Sequence, residues 1–66
     1  MRYDLKIGDE IELLISKLGN KGDPVGWYQQ HLAVIVTDAP PTDLGKTIKV
    51  KIVMTNPSYV IGHKIG

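Results

Sequence analysis

The chain of 66 residues holds one domain, 1–66, with a small core, because only about 60% of the unfolded surface is buried at this length. Hydrophobic residues at 42% and charged residues at 23% exclude a disordered tail, and the absence of Cys excludes a disulfide framework and a thiolate metal site. Formal net charge is only +1, which excludes the strongly basic profile of a dedicated nucleic-acid binder.

The first element is contested. Ile11, Leu14, Ile15 and Leu18 recur at helical spacing, with Asp9 placed to cap a helix and Gly19 to stop it. As a strand, the same segment turns Ile11, Leu13 and Ile15 inward and Glu10, Glu12 and Ser16 outward, and only Leu14 is misplaced. A lone nine-residue helix is marginal in water, and the remaining strands need a partner, so a strand is expected over 9–18. Gly19-Asn20-Lys21-Gly22-Asp23-Pro24 follows as a turn. Strands are then expected over 25–31 and 32–37, the second carrying the apolar run Leu32-Ala33-Val34-Ile35-Val36.

A loop from Thr37 to Gly45 leads to the clearest strand, 46–54. There Ile48, Val50, Ile52 and Met54 alternate with Thr47, Lys49, Lys51 and Val53. Asn56-Pro57-Ser58 turns the chain into a last strand over 58–64, in which Gly62 marks a bulge. Five short strands joined by polar turns predict an all-β fold, a small five-stranded barrel whose closure removes exposed edges.

Read together, Lys6-Ile7-Gly8-Asp9-Glu10-Ile11-Glu12-Leu13 and Leu18-Gly19-Asn20-Lys21-Gly22-Asp23-Pro24-Val25-Gly26 resemble the opening of a TRAM domain. The run Leu32 to Val36, Gly45-Lys46-Thr47-Ile48-Lys49-Val50-Lys51-Ile52 and the closing Tyr59-Val60-Ile61-Gly62 follow the same family order. The resemblance implies an OB-like β-barrel that binds RNA. It also implies either a free-standing archaeal-type RNA chaperone or a module that accompanies tRNA or rRNA chemistry. Met1 so close to the domain start is read as the free-standing kind. Pro24 stands where the family has the last glycine of a Gly-Asp-Gly turn. Where family members carry aromatics, this Phe-free chain has Leu32, Ile35 and Ile61, so stacking falls to Trp27, Tyr28 or Tyr59.

Charge and rings supply the candidate contacts. Residues 1–45 hold four Lys or Arg against seven acids, whereas 46–66 hold four lysines and no acid, which points to a basic face. Lys49 and Lys51 share one side of a strand about 7 Å apart, a spacing comparable to that of phosphates, with Lys17, Lys21 and Lys64 extending the set. Trp27 and Tyr28 are adjacent and face opposite ways. If Trp27 fills the core, Tyr28 is the stacking ring, and Tyr59 and Tyr3 are open to either role. His31 and His63 offer polar rings to a base or phosphate.

Two His without Cys fall short of a metal site, and no catalytic constellation or phosphate loop is present, so neither a cofactor nor an enzyme is expected. No apolar run reaches the length of a membrane span and no signal peptide opens the chain, so a cytoplasmic protein off the membrane is expected. The function expected is RNA binding of low sequence specificity. The alternative is a protein-interaction or assembly module on the same barrel.

Overall fold

In the computed structural model, which describes residues 4–19, 21–29 and 32–65, the chain forms five strands. They are β1 (Glu10–Leu18), β2 (Pro24–Tyr28), β3 (Leu32–Val36), β4 (Thr47–Thr55) and β5 (Tyr59–Ile65). A short 3₁₀ turn, Pro41–Asp43, interrupts the long loop before β4. The strands close in the order β1-β2-β3-β5-β4, and β4 returns to β1. All pairs are antiparallel except β3 with β5, which run parallel. The all-β barrel expected from the sequence is the fold.

Alternation decides the inside. Leu13 and Ile15 from β1, Leu32, Val34 and Val36 from β3, Ile48, Val50 and Ile52 from β4, and Val60 from β5 form one buried cluster. Burying such side chains is the main favourable term available to a chain this short. The contested segment is therefore a strand, and Leu14, the residue that breaks its alternation, is 56% exposed. Ile11 packs against the core from its edge.

The register shifts in two places: Ser16 is an extra residue on β1, since Ile15 pairs with Gly26 and Lys17 with Val25, and a second shift lies in β4. Ile52 pairs with Gly62 but Met54 pairs with Ile61, so Val53 is an extra residue on β4. One inserted residue exchanges the two faces of a strand. Met54, expected inside, therefore stands 49% exposed. The bulge expected at Gly62 lies across the ladder from it, in β4. Gly62 itself answers a different need: a Cβ there would strike Val50 Cγ1 and approach the Lys51 carbonyl oxygen to 3.2 Å. Gly26 in β2 is inward in the same way, with the Leu14 carbonyl oxygen 2.6 Å from where a Cβ would be.

The long loop is tied to the barrel by its acids. Asp38 Oδ1 accepts a hydrogen bond of 2.6 Å from the Lys64 backbone N–H. Asp43, almost fully buried, pairs through Oδ2 with Lys64 Nζ at 2.8 Å. A carboxylate out of water is tolerable only with such a partner. Among the described residues no buried side-chain polar atom lacks one.

Candidate functional site

The outer face of β2, β3 and β5 carries two register rows. In the first, Trp27 of β2 pairs with Ala33 of β3, which pairs with Tyr59 of β5. In the second, Val25 pairs with Ile35, Ile35 with Ile61, and Ile61 with Met54 of β4. Side chains two apart on a strand share a face, so the rows lie side by side. Trp27 is 46% exposed and Tyr59 is 38% exposed. Ala33 between them raises nothing above the sheet, and two rings flank an open strip.

Trp27 thus stands outside, and Tyr28 packs against the core cluster. This corrects the expectation that Tyr28 is the exposed ring: Gly26 and Tyr28 share the inner side of β2, where the glycine leaves room. Lys17 of β1 places Nζ 5.7 Å from the centre of the Trp27 ring, within the range of a cation–π contact. It covers one side of the indole and brings a cation to the strip.

Beside Tyr59 the second row floors a groove of about 320 Å³. Val25, Ile35 and Ile61 form its base, and Gly19, Lys21, Asp23, Thr37 and Tyr59 complete the lining. Val25 is buried yet takes no part in the core cluster; Gly19 of the turn lies against it from outside. The turn is closed by the Gly19 N–H donating to the Asp23 carbonyl at 2.8 Å and the Gly22 N–H to the Gly19 carbonyl at 2.9 Å. Gly22 has φ +86°, a conformation that disfavours any side chain. The turn therefore sets the backbone from which Lys21 and Asp23 project.

The remaining expected contacts are scattered. Lys49 and Lys51 are exposed, but Glu12 and Glu10 of β1 are their register partners. The face is charge-alternated rather than basic, which sequence separation concealed. His63 is the partner of Lys51 on β5, four residues from Tyr59, or about 13 Å along the strand. Lys64 is corrected: its ammonium is held by buried Asp43 and serves the fold. His31 and Tyr3 lie outside the described residues. Of the expected set, the structure brings together Lys17, Lys21 and Tyr59. It places Trp27, left open between core and contact, on the outer face, and it adds Asp23, which the sequence did not single out. The shared face of Val25 and Trp27, with Gly26 opposite, was the signal available for Trp27.

Among the described residues no three His, Cys, Asp or Glu come close enough to hold a metal ion. No helix among them is long and apolar enough to cross a membrane. The family model described as TRAM domain matches residues 4–65. Comparison with curated proteins and with solved structures gives no match.

Proposed function

Because the chain belongs to the TRAM domain family, a family of non-catalytic RNA-binding domains, we propose that its β2-β3-β5 face binds single-stranded RNA. The observation that carries the proposal is the row Trp27, Ala33, Tyr59: two exposed rings on one face, with the Lys17 ammonium beside the indole. A base presents a π face to such a ring whatever its identity, and a cation next to it meets the backbone phosphate. Bases locked in a duplex cannot reach rings in this way, so the substrate is an unpaired strand. Lys17 and Lys21 supply a small electrostatic component. The resulting grip is moderate and releasable, which suits a cytoplasmic RNA chaperone or a module accompanying tRNA or rRNA.

Titration of a labelled single-stranded oligoribonucleotide at low salt tests the reading. Trp27→Ala and Tyr59→Ala are each expected to weaken binding by about 1–3 kcal/mol, the usual worth of one stacked base. Both side chains are partly exposed, so the barrel keeps its circular dichroism spectrum. Parent and variants with the same weak affinity would sink the proposal. The assembly-module alternative then gains, since the alternation of Lys49 and Lys51 with Glu12 and Glu10 makes a poor surface for a polyanion.

A further inference from the structure

The groove beside Tyr59 differs from the open strip, because polar residues line it together with apolar ones. Its volume of about 320 Å³ is at the small end of ligand pockets, roughly 300–1,000 Å³. That is room for one base and its sugar and not for a paired helix. Val25, Ile35 and Ile61 offer an apolar floor for a base face, and Asp23 and Lys21 among the lining residues carry an acceptor and a donor. The Asp23 carboxylate has no hydrogen-bond or ion-pair partner among the described residues. An acid is out of place on a surface built only to attract phosphates. It has a use where something must donate to it.

Resting on the RNA-binding reading above, we propose that this groove takes one guanine base of the bound strand. An ionised carboxylate has only acceptors, two oxygens side by side. Guanine alone among the four bases matches it with two adjacent donors, the N1–H and the N2 amino group. The guanine O6 next to them accepts, and Lys21 carries only donors. Adenine sets one amino group beside the N1 acceptor, and cytosine sets one beside N3. Uracil flanks its single N–H with two carbonyl oxygens. Each of these turns a lone pair toward Asp23. The barrel therefore has one reading position in an otherwise sequence-tolerant footprint, carried on the hydrogen-bonded Gly19–Asp23 turn.

The test uses single-stranded oligouridine of about eight nucleotides, a length one such barrel can span, with a single central base varied. The central base is guanine, adenine, cytosine, uracil or hypoxanthine, and dissociation constants are measured at low salt. The guanine oligomer is expected to bind on the order of tenfold more tightly than the other three natural ones, the discrimination of one bidentate contact. Hypoxanthine lacks the 2-amino group and is expected to lose most of that gain. Asp23→Asn is expected to bring the guanine oligomer down to the level of the rest. Guanosine monophosphate, as competitor, is expected to displace it only weakly.

Equal binding of all five oligomers overturns the guanine assignment and leaves RNA binding standing. A preference that survives Asp23→Asn overturns it as well, and a free nucleotide as tight as the oligomer overturns the claim that the base is read within a bound strand. Failure to bind any oligomer overturns both this inference and the RNA-binding reading.

Discussion

The closeness of Gly62 to Val50 yields a quantitative test of the barrel interior. A methyl group on Gly62 would strike Val50 Cγ1, with the Lys51 carbonyl oxygen as the next neighbour at 3.2 Å. Gly62 has no positive φ, so a side chain there is opposed by packing and not by the backbone. Overpacking of this kind costs about 1–3 kcal/mol in Gly62→Ala. Val50→Ala removes a fully buried branched side chain and costs about 2 kcal/mol, from lost transfer energy and the cavity left behind. In the double variant the new methyl group occupies the space that Val50 vacates. Its cost should then approach that of Val50→Ala alone, a favourable coupling of about 1–2 kcal/mol. Urea unfolding followed by far-ultraviolet circular dichroism reads these differences. With a slope of about 1 kcal/mol per molar, each kcal/mol moves the midpoint by about 1 M. Gly26→Ala is the control, because its neighbours include the Leu14 carbonyl oxygen at 2.6 Å and no side-chain truncation relieves that contact. Strict additivity of Gly62→Ala and Val50→Ala would refute the claim that the two compete for one volume.

Three further outcomes are expected. Changing Lys17 and Lys21 together to Gln should remove most of a log–log salt slope of about −1.4 for RNA, two phosphates at about −0.7 each, whereas Lys49 and Lys51 to Gln should leave it nearly intact; titrations at several salt concentrations check both. Lys64→Ala should cost about 1–2 kcal/mol in urea unfolding. That is less than the loss of a fully buried partner, because the Lys64 side chain is 31% exposed while Asp43 is 5% exposed. Met54→Thr should change stability by less than about 0.5 kcal/mol, as befits a surface position; a core-sized loss would place Met54 inside and remove the Val53 bulge.

The elements were legible where one periodicity ruled. Thr47 to Ile52 declares its inner and outer faces outright, whereas in β1 Leu14 breaks the alternation and the shift between Ile15 and Lys17 left no mark in the sequence. Met54 was misread because a bulge is a relation between two strands: nothing in Val53 itself announces an extra residue, and only the register against Ile61 and Gly62 reveals it. The site divides the same way. That Trp27 and Tyr28 oppose each other follows from adjacency; which of them faces out depends on the pairing of Gly26 with Ile15 and Val34. The excess of lysines after residue 45 looked like a basic face until the ladder set Glu12 and Glu10 opposite Lys49 and Lys51. Lys64 and Asp43 are 21 residues apart, and their pairing is a product of the closed barrel.

The place of β5 between β3 and β4 also governs how the chain is made. Synthesis runs from β1 to β5, so four strands leave the ribosome before the strand that joins the two free sides of the sheet. Until Tyr59–Ile65 emerges, β3 and β4 each present unpaired N–H and C=O groups to any neighbouring strand. The parallel β3–β5 pair cannot form as a hairpin and must wait for that last stretch. A premature stop or a proteolytic cut before residue 59 therefore leaves an open, adhesive sheet instead of a slightly shortened domain. For a cell, this makes Tyr59–Ile65 the stretch that separates a closed barrel from a substrate for quality control.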